Sequence, residues 1–162
     1  LVLLKYLDYK YCCCQNIYMK DDMIVVNFRL AVKAFIVQRG KLFVIKRSEA
    51  DIQSPGIWEV PGGRLNLGED PILGLMREIR EETGMYIEPI YPLSVRHFKR
   101  SDNQTITMLI FLCRPVRGGK LKLSEEHSDY KWIDLDKEKK MLSKFFHSEV
   151  DIFSELKLSK VV

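Results

Sequence analysis

Between residues 29 and 134 the apolar positions fall into short runs with two different periods. Leu30 to Gln38 and Leu42 to Lys46 are dense in Val, Ile and Phe and are joined at Arg39-Gly40. That pattern predicts two strands in a hairpin. A loop through Ser54-Pro55-Gly56 leads to a short strand, Ile57 to Val60, and then to Pro61-Gly62-Gly63. Asp70 followed by Pro71 predicts a helix start, because an Asp side chain caps free N–H groups and proline suits the first helical position. Gly84 supplies the stop. Residues 86–97, 104–113 and 129–134 read as further strands, separated by Ser101-Asp102-Asn103 and by Gly118-Gly119. In the last segment, residues 137–157, Met141, Leu142, Phe145 and Phe146, then Ile152, Phe153 and Leu156, recur at a helical period with a break expected near Ser148. Strands on both sides of a central helix predict an α/β (α+β) fold, a mixed β-sheet sandwiched between α-helices.

Residues 1–18 follow neither period, and Met19 opens a stretch that would serve as a natural beginning. The expected organisation is an N-terminal extension over residues 1–28, its first 18 dispensable for folding, and one domain over residues 29–162. A chain of 162 residues suffices for one core. Hydrophobic residues make up 46% and charged residues 30%, an ordinary globular balance. The net charge of +4 suits polyphosphate ligands but is also common on a solvated surface. No Lys/Arg block marks a nucleic-acid arm. Cys12, Cys13, Cys14 and Cys113 lack the spacing of a disulfide framework or a zinc site, so free thiols in a reducing cytoplasm are expected. No apolar run approaches the roughly 20 residues that span a bilayer.

The residues that carry chemistry sit on the central helix. At helical spacing, Ile72, Leu75, Met76 and Ile79 share one face, expected to be buried on the sheet. Glu78, Glu81 and Glu82 lie side by side on another, and like charges at such separations destabilise a helix. A hard divalent cation with oxygen ligands would offset the repulsion. A solvated acidic face balanced by Arg77 and Arg80 is the other reading of the helix alone.

Residues 63–85 decide between them. Gly63 is followed after five residues by Glu69, after seven more by Arg77-Glu78-Ile79, and then by Arg80, Glu81-Glu82, Thr83, Gly84 and Met85. This stretch resembles a complete Nudix box, G-x5-E-x7-R-E-U-x-E-E-x-G-U with U aliphatic. Seven fixed positions arise by chance on the order of 10⁻⁹ times per starting position at average residue usage. The preceding run, Gly56 to Gly63, is similar to the strand and turn that lead into the box in that family. Gly74 departs from the commoner Ala. It costs about 1 kcal/mol of helix propensity and marks a candidate close backbone contact.

The resemblance implies the family's fold and a hydrolase that cuts the pyrophosphate linkage of nucleoside diphosphate derivatives with divalent cations, Mg²⁺ with Mn²⁺ as substitute. It implies metal ligation by Glu81 and Glu82, and by Glu78 either as ligand or as the base that activates water. Glu69 is a further ligand or supporting group at the helix entrance, and the base in some members. Arg77 orients the carboxylates. The Gly62 carbonyl is a candidate ligand because a glycine turn brings backbone close to an ion. A later loop carboxylate is also expected, Glu126 ahead of Glu125, with a surface acidic turn as the alternative. Lys46 and Arg47 are candidate phosphate contacts. Phe98 is a candidate for stacking on a base, and Trp58 is placed in the core. The downstream proline of many ADP-ribose pyrophosphatases, the tyrosine of diadenosine polyphosphate hydrolases and the coenzyme A signature are all missing. By elimination the expected substrate is a nucleoside triphosphate, split to monophosphate and pyrophosphate. ADP-ribose or nucleotide-sugar hydrolysis and a non-catalytic nucleotide- or RNA-binding module are the alternatives. The expected partner is a small-molecule nucleotide, with no membrane and no nucleic acid, and a homodimer left open.

Overall fold

The computed structural model describes residues 27–162. The expectations for residues 1–18 and for Cys12 to Cys14 fall outside them. The elements are β1 (Phe28–Gln38), β2 (Lys41–Arg47), β3 (Trp58–Glu59), α1 (Pro71–Thr83), β4 (Tyr86–Lys99), β5 (Thr105–Val116), β6 (His127–Asp134), the single turn α2 (Leu135–Glu138) and α3 (His147–Glu155). Short 3₁₀ turns at Lys139–Met141 and Lys144–Phe146 lead into α3. Among the described residues no helix is long and apolar enough to cross a membrane.

The first hairpin forms where the Arg39-Gly40 pair predicts it. Both residues have positive φ, 52° and 74°, as a two-residue turn matched to the strand twist requires. β1 then does two things. Its far edge runs parallel to β5, from Phe28 opposite Thr105 to Ile36 opposite Cys113, and β4 continues that layer antiparallel. Its near edge holds β2 only at Val37–Leu42 and Gln38–Lys41 before the two strands part. β2 goes on to pair with β6 on one side and with β3 on the other.

Where β2 leaves β1, the turn after β3 takes its place. Ala34 N–H donates to Pro61 O at 2.8 Å, Val32 N–H to Gly63 O at 2.8 Å, and Leu65 N–H to Leu30 O at 3.0 Å. Gly62 in this stretch has φ 126°, and a Cβ there would run into the Val32 carbonyl oxygen, so only glycine fits.

β1 is apolar at nearly every position because both its faces are covered. Val32, Ala34 and Ile36 pack with Leu75 and Ile79 of α1, and Ala31, Phe35 and Val37 pack with Phe146, Val150 and Phe153 around α3. The mixed sheet between helices expected from the sequence is the fold observed.

Two expectations are corrected. The C-terminal break lies at Leu142-Ser143, where Ser143 N–H donates to Trp58 O at 2.8 Å. Ser148 instead sits inside the first turn of α3. On α1 the buried residues are Gly74, Leu75, Ile79, Glu82 and Thr83, while Ile72 and Met76 are 36% and 40% exposed. The face is rotated because seven residues make almost two full turns, which puts Glu82 within about 20° of Leu75.

Candidate active site

α1 begins and ends as its sequence dictates, and both ends shape the site. The Asp70 side chain accepts from Ile72 and Leu73 N–H, with Pro71 in the first turn. Gly84 closes the helix at φ 68°, its N–H donating to Arg80 O. The last carbonyls are taken by the chain ahead of β6: Lys122 N–H donates to Thr83 O and Ser124 N–H to Glu82 O, both at 2.9 Å. This docking brings residues 124–127 beside Glu82, although over forty positions separate them in the sequence.

Arg77 is the hub. It grips Glu69 with two bonds of 2.7 Å, and its remaining terminal nitrogen reaches Glu78 at 2.9 Å and Glu81 at 3.0 Å. The paired guanidinium holds the Glu69 carboxyl down to about 2, chiefly through the side-chain hydrogen bond, with the Asn66 N–H adding to it. A carboxylate so strongly stabilised in its charged form is a weak base.

The three helix carboxylates, grouped on one face in the sequence reading, occupy three environments. Glu81 is 60% exposed at its side chain. Glu78 is half-buried against Gly63, where an added Cβ would collide with its carboxylate. Glu82 is 8% exposed and accepts from Gly62 N–H at 2.7 Å. Burial raises Glu78, and it pushes Glu82 up to about 7, with Glu59 and Glu78 adding to the shift and Lys33 and the Gly62 N–H opposing it. Beside Glu82 the buried His127 presents an Nε2 with no hydrogen-bond partner, 3.9 Å from Glu82 Oε1.

Among the described residues no three His, Cys, Asp or Glu side chains stand close enough together to hold a metal. Arg77, rather than a metal, is the shared partner of Glu69, Glu78 and Glu81 here. The donor set still suits a hard divalent cation. It is all oxygen, and its deepest member is a carboxylate that burial disfavours in the charged form without a cation nearby.

A cavity of about 910 Å³ opens where β1 and β2 part, lined by Glu78 and Gly63 and by Phe98 and Phe145 among others. Arg47 and Glu126 line it. Lys46 and Glu125 are not among its lining residues, and Lys46 pairs with Glu49 at 2.8 Å. Trp58 packs against the core, as the sequence reading placed it, under the Lys131 ammonium.

Sequence reasoning missed Lys33 and Glu59. Lys33 is buried within the apolar run of β1 and reaches Glu59 at 3.1 Å, and Arg47 reaches the same carboxylate at 2.6 Å and Asp51 at 2.9 Å. Burial opposes the charged form of Glu59, but the two cations prevail and hold it below the usual carboxylate range. A lysine inside an otherwise apolar strand was the available signal.

Gly74 proves to be the close contact its sequence position suggested. A Cβ there would collide with Leu65 and press on the Glu69 carboxyl. Gly63 is the more informative of the two to change. Gly63→Ala should displace Glu78 and lower turnover by about tenfold or more, a barrier increase of about 1.4 kcal/mol, with the melting temperature nearly unchanged. Steady-state kinetics and calorimetry check it, and unchanged kinetics would mean that the Glu78 position is unimportant.

The chain belongs to the Nudix family: the model of the NUDIX domain matches residues 27–152. It is 35% identical over 97 residues to a MutT-like protein of Streptomyces ambofaciens, covering 60% of this chain and 57% of that protein. It is 33% identical over 97 residues to the 8-oxo-dGDP phosphatase NUDT18 of Homo sapiens, covering 60% of this chain and 28% of that one. The match thus spans little more than half, or less, of these relatives' length. Among solved structures, the MutT protein of Methanosarcina mazei Go1 superposes with a TM-score of 0.70 at 28% identity, covering 80% of this chain and 95% of that one.

Proposed function

We propose that this chain hydrolyses the pyrophosphate linkage of a nucleoside triphosphate, canonical or modified, releasing a monophosphate and pyrophosphate in the presence of Mg²⁺ or Mn²⁺. The observation that carries the reading is the cavity itself, which Glu59, Glu78 and Glu126 line together with the rings of Phe98 and Phe145. Glu78, Glu81, Glu82, the Gly62 carbonyl and Glu126 are the groups to hold the cation. When bound, it supplies charge neutralisation for the phosphates and acidifies the attacking water.

The chain's own groups do the rest. Arg77 fixes the carboxylates and holds Glu69 as a weak base, and Glu78, raised by burial, is the group to take the proton from water at its carboxylate oxygen. Arg47 faces the phosphates, its charge moderated by Glu59 and Asp51. Phe98 and Phe145, edge to face at 5.1 Å, offer the base an apolar surface.

The experiment compares kcat/KM for a panel of nucleoside triphosphates, 8-oxo-dGDP and ADP-ribose. A triphosphate is expected to lead. If ADP-ribose wins by about tenfold, equivalent to about 1.4 kcal/mol of transition-state stabilisation, the substrate assignment is overturned and the family stands. The name of the human relative makes the diphosphate the informative third arm.

A further inference from the structure

The aromatic wall of the cavity is held from behind by an ion pair that no part of the reaction uses. From Ser94 onward β4 alternates regularly, with Ser94, Arg96 and Phe98 on its inner face and Val95, His97 and Lys99 outside. Glu149, in the first turn of α3, is 1% exposed. It accepts from Ser94 Oγ at 2.8 Å and from the Arg96 guanidinium at 2.9 and 3.1 Å. The same guanidinium bonds Ser148 and lies 4.6 Å from the centre of the Phe145 ring. Phe145 is thus clasped on several sides: Arg96 over one face, Phe98 and Phe146 edge to face at 5.1 and 5.0 Å. Three residues of that cluster, Phe98, Phe145 and Phe146, line the cavity.

A doubly bonded Arg–Glu pair with a buried carboxylate and a half-buried guanidinium is poor evidence for stability, because well-packed apolar residues often do as well in its place. What it supplies is a fixed geometry. Two forked bonds orient the guanidinium plane, and that plane fixes the tilt of the ring. We propose that Arg96 and Glu149 are positioning residues for base recognition, holding Phe145 against Phe98 so that the pair presents one rigid surface to the base. This rests on the reading that the cavity takes a nucleotide with its base at the Phe98 end. The ion pair bonds Ser94 and Ser148 and makes no bond to Glu78 or Glu82, which belong to α1.

The test replaces the pair as a unit. Arg96→Leu/Glu149→Leu avoids the unpaired buried carboxylate that Arg96→Leu alone would leave, and Arg96→Lys, which keeps the charge but loses the planar fork, serves as the second variant. KM and kcat are measured for the best triphosphate, with inorganic tripolyphosphate as a base-free competitive inhibitor. In parallel, calorimetry in Ca²⁺ gives the affinity for the same nucleotide without turnover. Both variants are expected to raise KM and Kd by about tenfold, which is 1.4 kcal/mol, with kcat and the tripolyphosphate inhibition constant little changed. Phe145→Leu should weaken nucleotide binding similarly, and adding it to the double variant should bring little further loss, since the three side chains act as one unit.

Nucleotide affinity equal to wild type in a folded double variant overturns the proposal. Equal weakening of tripolyphosphate does so too, because it shows a general collapse of the cavity. If the wild type binds nucleotides but hydrolyses none, the proposed function fails while the calorimetric comparison still decides this inference.

Discussion

Glu82→Gln is expected to lower turnover by about 10²–10⁴-fold, the scale of losing an essential catalytic group, and to make the metal-free protein more stable at pH 8. The second half follows from burial. The Glu82 carboxyl titrates at about 7 in the folded chain against 4.5 ordinarily, so the native state binds this proton more tightly than the unfolded one. That contribution is complete below pH 4.5 and is lost as the pH rises through 7. Glutamine keeps the uncharged shape at every pH. Between pH 4 and pH 8 the variant should therefore gain on metal-free wild type by on the order of 3 kcal/mol. Groups that do not interact with Glu82 cancel in the comparison, and Lys33, Glu59 and Glu78, which do, alter only the size of the gain. Added Mg²⁺ should raise the melting temperature of wild type at pH 8 and leave the variant nearly unmoved. Parallel pH–stability curves would show that Glu82 is not a strained carboxylate, and near-normal activity would remove it from the metal site.

Arg77→Lys is expected to cost about 10²-fold in turnover, the scale of a small misplacement of catalytic groups. Lysine is a single point charge and cannot grip Glu69 with two bonds while reaching Glu78 and Glu81. Glu69, released from its partner, should rise from about 2 toward the ordinary carboxylate value. Stability should fall by about 1 kcal/mol, because lysine keeps a charge beside Glu69 and so retains part of its shift, and the Glu81 pair lies largely in water. A large loss of activity with a small loss of stability would identify Arg77 as an organiser of the site. Unchanged activity would reduce it to an ordinary surface ion-pairing residue.

The parts of this protein that the sequence determined by itself are those set by local physics. Arg39-Gly40 specifies a tight turn because two consecutive positive φ angles are needed there. Asp70-Pro71 and Gly84 delimit the helix because they satisfy or dispense with its unpaired end groups. The box from Gly63 to Met85 names the family because its spacing repeats nowhere by accident.

Tertiary structure decided what depends on distant segments meeting. Glu82 is buried, and hence raised, because the 120–124 stretch docks on the helix end and Gly62 N–H closes over it. That it lies beside Leu75 is a matter of helix geometry, but treating the three carboxylates as one polar face concealed it. Lys33 and Glu59 lie 26 positions apart and become partners only when β3 is laid beside β2. Phe145 reaches the cavity because the C-terminal helical segment breaks at Ser143 to bond Trp58, a contact that periodicity cannot register. Arg96 and Glu149, separated by 53 residues, are unremarkable charges on a strand and a helix until packing removes the water between them. Local conformational preference is written in adjacent residues, whereas desolvation, ion pairing and the walls of a cavity exist only once the sheet has brought remote positions together.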